Sequence, residues 1–190
     1  MNTLMHICCA PCANQPVAQL REEGVQVAGF WFNPNIHPYT EYQARKHALE
    51  EYAKQAGLKL IVGGTYDLRP FITAVAGDID GRCAYCYRVR LEQTARFAKE
   101  NGYDSFTTSL LISPYQNHEA IVQTGRELGD AYGVPFLCRD FRPLFQAGQE
   151  YARAHGFYMQ KYCGCIFSEE DRYMARKRRK KEQQTPPAQG

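Results

Sequence analysis

Seven of the eight cysteines fall into three short motifs: Cys8-Cys9-Ala10-Pro11-Cys12, Cys83-Ala84-Tyr85-Cys86 and Cys163-Gly164-Cys165. A thiolate is both a soft metal ligand and a nucleophile, and thiols at a helix start lie near the positive end of the backbone dipole, which favours that form. Four thiolates suit an iron-sulfur cluster or a structural zinc, and the CxxC spacing alone does not decide between them. Zinc ribbons pair two similar knuckles on small hairpins, whereas the first motif here closes a strand of the main sheet, which favours iron-sulfur. The CGC pair is a different object. With one residue between them, its cysteines can close only a very small ring, so a disulfide there is strained and easily reduced, and Gly164 supplies the backbone freedom. Such a pair exchanges electrons; the alternative is that both thiols ligate metal. Cys138, alone at a predicted strand end, reads as an inert core thiol.

The elements that must position these motifs alternate. Thr3–Ile7 reads as a buried strand and Gln15–Glu23 as a helix, so the first three cysteines fall on the turn between them. Val25–Phe32 is a second strand, stopped by Asn33-Pro34-Asn35-Ile36-His37-Pro38. A helix over Tyr39–Ala56, a strand over Leu58–Val62 and a short helix near Pro70–Ala76 follow. Cys83 opens a helix to about Asn101; Ser105–Thr108 is a fourth strand, His118–Tyr132 a helix, Val134–Cys138 a fifth strand and Gly148–His155 a last helix. Strands alternating with helices predict a parallel sheet covered by helices, with ligands on the rim formed by the loops after the strands. That rim is expected to receive Cys8–Cys12, Asn33–Pro38, Thr108–Ser113 and Arg139–Arg142.

With 190 residues and 44% hydrophobic content, the chain can bury one substantial core. A single α/β domain is expected over residues 1–171, followed by a basic, disordered tail over 172–190. No apolar run approaches the roughly 20 residues needed to cross a bilayer. Met1–Ile7 is too short for a secretory signal and lacks its charged start. A cytoplasmic chain is expected, with no membrane partner, in which cysteines bind metal or exchange electrons rather than staple the fold. The net charge of +3 conceals an asymmetry: from Arg172 onward seven Lys/Arg face one acid, Glu182, a balance of +6, which leaves the body at −3. A body of that sign excludes a broad nucleic-acid-coating surface, so any basic footprint is local, as in the run Arg176–Lys181.

His6, within an apolar strand, reads as a satisfied core histidine. His37 and His118 fall on predicted rim elements, where each is either a proton donor or a solvated residue. Tyr39, Tyr42 and Arg45 share a helix face that either packs or contacts RNA bases and phosphate. There is no GxxxxGK[ST], no GxGxxG and no pyrophosphatase loop after the first strand, so nucleotide phosphate has no cradle.

The stretches HICCAPC, NPNIHPYTEYQARK, CAYCYRVRLEQTA, FTTSLLISPYQNHE, RDFRP and QKYCGCIFS, in that order across Leu4–Ser168, resemble the QueH-type epoxyqueuosine reductases. Ser109 stands where threonine is expected, and Cys138 where an aromatic is commoner. The resemblance implies a Rossmann-like fold related to the pyrophosphatase-loop enzymes. It implies the last step of queuosine formation, in which epoxyqueuosine at the wobble position of a tRNA anticodon loses its epoxide oxygen, and an electron donor to drive it. It further implies Cys8, Cys9, Cys83 and Cys86 as ligands of a 4Fe-4S cluster, Cys163 and Cys165 as a redox-active disulfide, and Cys12 as a ligand of an additional iron. Two other readings stand beside it: a metal-loaded, non-catalytic RNA adaptor, and a tRNA-thiolating enzyme, against which the missing phosphate loop counts.

Overall fold

In the computed structural model, which describes residues 1–184, Asn2–His6 (β1), Gln26–Trp31 (β2), Leu60–Val62 (β3) and Ser105–Thr108 (β4) form one parallel sheet in the order β3-β2-β1-β4. β1 lies between two neighbours, with Leu4 opposite Ala28 on one side and Phe106 on the other. Thr3–His6 and all of β4 are buried, the two-sided burial that a covered parallel sheet requires.

The helices are Ala10–Glu22 (α1), Tyr39–Gln55 (α2), Leu68–Val75 (α3), Arg82–Glu100 (α4), His118–Tyr132 (α5), Phe145–Ala154 (α6) and Ile166–Gln184 (α7). The chain steps from β1 to β2 to β3 in one direction and then returns to the far side of β1 for β4. Right-handed crossovers therefore put α1 and α2 on one face of the sheet and α4 on the other. Accordingly α1 packs against α2 and α6, while α4 packs against β1, β4 and α5. The strand order reverses between β1 and β4, and the carboxyl ends of the strands at such a reversal open the crevice in which α/β sheets bind ligands. The loops leaving these two ends are Ile7–Cys9 and the 3-10 turn Ser109–Ile112.

Three sequence expectations are corrected. The first helix begins at Ala10 rather than Gln15, with Cys9 as its extended N-cap and Pro11 in its first turn. Proline is tolerated there because the first amides of a helix have no internal partner, so Cys12 is helical rather than part of the turn. Val134–Cys138 is not a strand: Phe106 N donates to Pro135 O at 3.0 Å and Leu137 N to Phe106 O at 2.8 Å, forming a single bridge to Phe136. Pro135 brings no amide to a ladder, which keeps that pairing short. At the end of the chain, α7 continues through Gln184, into the stretch expected to be disordered; residues 185–190 lie outside the described residues. No helix among the described residues is long and apolar enough to cross a membrane.

Candidate functional site

At the carboxyl end of β1 the sulfurs of Cys8, Cys9 and Cys12 all lie within 4.8 Å of one another, and all three residues are buried. Cys8 and Cys9 come from the strand-to-helix turn and Cys12 from the first turn of α1, so the positive end of that helix faces the group. Ser109, from the loop after β4, spans the crevice: its Oγ accepts from Cys8 N at 3.2 Å and lies 3.6 Å from Cys8 Sγ, toward which it donates. The hydroxyl makes both contacts, which explains why serine serves where threonine was expected. Gln160 closes the other side, its Nε2 donating to Cys9 Sγ at 3.1 Å and approaching Cys12 Sγ at 3.5 Å.

Hydrogen bonds from Cys12 and then Cys9 hold Cys8 well below the ordinary thiol range against the cost of burial, with Ser109 assisting. Burial pushes Cys9 up, and Cys12 rises through its hydrogen bonds to Cys8 and Cys9. One thiolate is thus stabilised by two neighbouring S–H groups, and a soft cation among them would displace the remaining protons. Three converging thiols fit iron or zinc rather than magnesium or calcium.

The other two motifs gather alongside. Cys83 is exposed in the first turn of α4, and Cys86 is buried in a small cluster with Phe71, Val75 and Cys165. Burial pushes the Cys86 thiol up to about 12, with Arg90 opposing. Cys163 is exposed, and close enough to Arg90, Arg45, Cys165 and Cys8 for their charges to act on it. The segment from Gln160 to Cys165 therefore runs from the Cys8 group to the Cys86 side. Cys12 stands with Cys8 and Cys9, while Cys83 and Cys86 lie outside that closed triad. All eight cysteines are free thiols.

A family model described as "Epoxyqueuosine reductase QueH" matches residues 3–171. The chain belongs to the QueH family. An epoxyqueuosine reductase QueH of Dehalococcoides mccartyi is 36% identical over 170 residues, covering 90% of this chain and 93% of that one. Its counterpart from Thermotoga maritima is 36% identical over 174 residues, covering 87% and 88%. In fold the QueH chain is similar to a predicted subunit of a tRNA methyltransferase from Methanocaldococcus jannaschii, with a TM-score of 0.52, 14% identity and coverage of 82% and 88%.

The structure also places the other residues that the sequence brought forward in this QueH chain. Arg45 and Tyr42 do not face RNA. Tyr42 is buried, its hydroxyl accepting from Trp31 Nε1 at 3.0 Å, and Arg45 pairs with Glu41 at 2.7 Å inside the protein. Tyr39 alone of that stripe is exposed. Arg139 and Arg142 form ion pairs with Glu23 and Asp140. His6 is a satisfied core histidine, bonded to Thr108 Oγ1 at 2.9 Å and Asn33 Oδ1 at 3.2 Å. Burial and then Arg90 bring it down to about 3, so it is neutral. His37 is buried and neutral as well, lowered to about 4 by burial. His118 is half-buried, with Nε2 3.8 Å from Asp140. Cys138 is half-buried and lines a surface cavity along α5 with Val122 and Arg126.

Sequence reasoning did not single out Ser109, Gln160 or Arg90 as site residues. Arg90 carried a signal, since it follows Cys86 by four positions on a helix and so shares its face.

Proposed function

We propose that this chain reduces the epoxide of epoxyqueuosine in tRNA to the alkene of queuosine. Cys8, Cys9, Cys83 and Cys86 would hold a 4Fe-4S cluster, Cys12 would serve an additional iron, and Cys163 with Cys165 would form a redox-active pair. The observation that carries this reading is the convergence of three thiols at the strand-order reversal of a QueH-family chain. The proximity of Cys86 to Cys165, and of Cys163 to Cys8, supports the wider set.

Removing the epoxide oxygen breaks two C–O bonds, takes up two electrons and two protons, and releases water. Oxidation of the Cys163 and Cys165 thiols to a disulfide yields two electrons and two protons, so one dithiol balances one turnover and an external reductant restores it. The iron, when bound, supplies a Lewis acid for the epoxide oxygen and a store of single electrons. Around it, Ser109 orients Cys8, and Gln160 orients Cys9 and Cys12. Arg45 seats the CGC segment through two carbonyls, at 2.8 and 2.9 Å. A base splayed from an anticodon loop can stack on exposed aromatic faces, and Tyr115, 85% exposed in the loop after β4, offers one. A tRNA substrate implies a reaction in the cytoplasm.

The test is anaerobic purification, assay of iron and acid-labile sulfide per chain, and incubation with epoxyqueuosine-containing tRNA and a chemical reductant. The expected product is queuosine, detected by mass after nucleoside digestion. A zinc-loaded, colourless protein that leaves the modification unchanged would overturn the proposal.

A further inference from the structure

Arg45 and Arg90 are the largest charged side chains in the core, each 1% exposed. Arg45 is balanced by Glu41 at 2.7 Å, and its other two nitrogens donate to carbonyls. Arg90 is not balanced in this way. Its Nε donates to the carbonyl of Cys86 at 2.9 Å, one turn back on α4, and its Nη2 is buried without a hydrogen-bond partner. Among the described residues no carboxylate pairs with it. An unpaired guanidinium inside a protein costs several kcal/mol, so an anion is expected where the free donor lies. Within reach of its charge lie Cys86, Cys163 and Cys8, one from each cysteine motif, together with Tyr87; burial raises Cys86, Cys163 and Tyr87 and so keeps them protonated, which leaves Cys8 as the one of the four held low.

We infer that Arg90 is the counter-cation of the anionic iron-sulfur group, its Nη2 being the donor kept free for that group. The inference rests on the cluster reading above. A fixed positive charge beside a redox group favours its more negative, reduced form and so raises its potential. The same charge is a liability in the metal-free protein and an asset in the loaded one, so loading should stabilise wild type by more than a chain lacking it.

The test compares wild type with Arg90→Gln and Arg90→Lys, each as the full chain, metal-free and after anaerobic reconstitution with iron and sulfide. Iron and sulfide per chain, midpoint potential by spectroscopic titration, and Tm before and after loading are measured. The glutamine chain should load, show a more negative potential, and gain less Tm on loading than wild type; the lysine chain should return toward wild type on both readouts. A glutamine chain with wild-type potential and wild-type Tm gain overturns the inference. So does a lysine chain that behaves like the glutamine one, or a glutamine chain that cannot fold even without metal, since Arg90 would then be needed for the fold alone. Failure of wild type to take up iron and sulfide overturns the cluster reading instead.

Discussion

Arg45 Nη1 donates to the carbonyl oxygen of Cys163 at 2.8 Å, linking a helix of the first half of the chain to the dithiol near its end. Its Nη2 reaches the carbonyl of Tyr162 at 2.9 Å and its Nε the carboxylate of Glu41, whose other oxygen accepts from Tyr158 OH. The Asn33–Pro38 loop completes the seat: His37 N donates to Gly164 O at 2.8 Å, and Tyr162 OH to His37 O at 2.5 Å. Gly164 has φ +150°, and a Cβ there would sit 3.3 Å from Asn35 Nδ2 and 3.4 Å from Arg45 Nη1.

Replacing Arg45 by alanine should therefore have two separable effects. Leaving Glu41 buried without its partner should cost about 3–5 kcal/mol, read by denaturant unfolding. Freeing two carbonyls should also loosen the CGC segment, so Cys163 should be alkylated faster under native conditions. Gly164→Ala, which leaves the ion pair in place, should lose about 1–3 kcal/mol through backbone strain and show the faster alkylation as well. Alkylation at the wild-type rate in both variants would mean that these interactions do not hold the segment.

Cys83→Ala and the double change Cys163→Ser, Cys165→Ser should separate ligand from electron carrier. The first should lose cluster iron. The second should keep iron and fold and fail at multiple turnover, and without added reductant it should reduce well under one equivalent of substrate, because the pair that holds the two electrons of a turnover is gone. Iron assay beside single- and multiple-turnover measurements decides it, and iron loss in the double variant equal to that of Cys83→Ala would make the CGC pair a ligand instead.

The layered fold and the rim were legible because strands such as Thr3–Ile7 and Ser105–Thr108 are short buried runs flanked by helical periodicity. The three cysteine motifs were legible because few other chemistries require such spacing. What the sequence did not disclose is side-chain direction. Arg45 and Tyr42 lie on a helix whose exposed and buried faces both carry polar groups, so periodicity could not show that the cation points inward, and only the buried Glu41 explains it. Gln160 was hidden for a different reason. An amide carries no chemistry on its own, and its role arises from two sulfurs about 150 residues away, brought together by a parallel topology whose pairings are non-local. Pro135 shows the converse, a strand-like run broken by one missing amide.

The buried imidazole of His37 makes stability depend on pH. Burial lowers its folded pKa to about 4, below the value of about 6.5 in an unfolded chain. Between these two values the unfolded state binds the proton and the folded state does not. The stability contributed by keeping His37 neutral is complete above about pH 6.5 and is lost as the pH falls toward 4, at up to about 1.4 kcal/mol per unit for this one residue. In His37→Gln, unfolding free energy of the metal-free protein should fall less steeply by about that slope over this window. Parallel curves for the two proteins would show that His37 is protonated in the fold.

The last prediction concerns the basic run Arg176–Lys181, which follows a body of negative balance. Asp171 near the start of α7 pairs with Arg82 at the start of α4, so cutting the helix off would also disturb the Cys83 turn. Changing the six basic residues to glutamine leaves that ion pair in place and removes only charge. If the run binds tRNA phosphates, each phosphate no longer neutralised should lower the slope of log affinity against log salt by about 0.7–0.9. The Kd for tRNA should rise most at low salt, and KM with it, while kcat at saturating tRNA stays near wild type, because no residue of the cysteine site has changed. Equal affinity and equal salt slope in the two proteins would make the run a solvated helix end, and a fall in kcat would place it in the reaction itself.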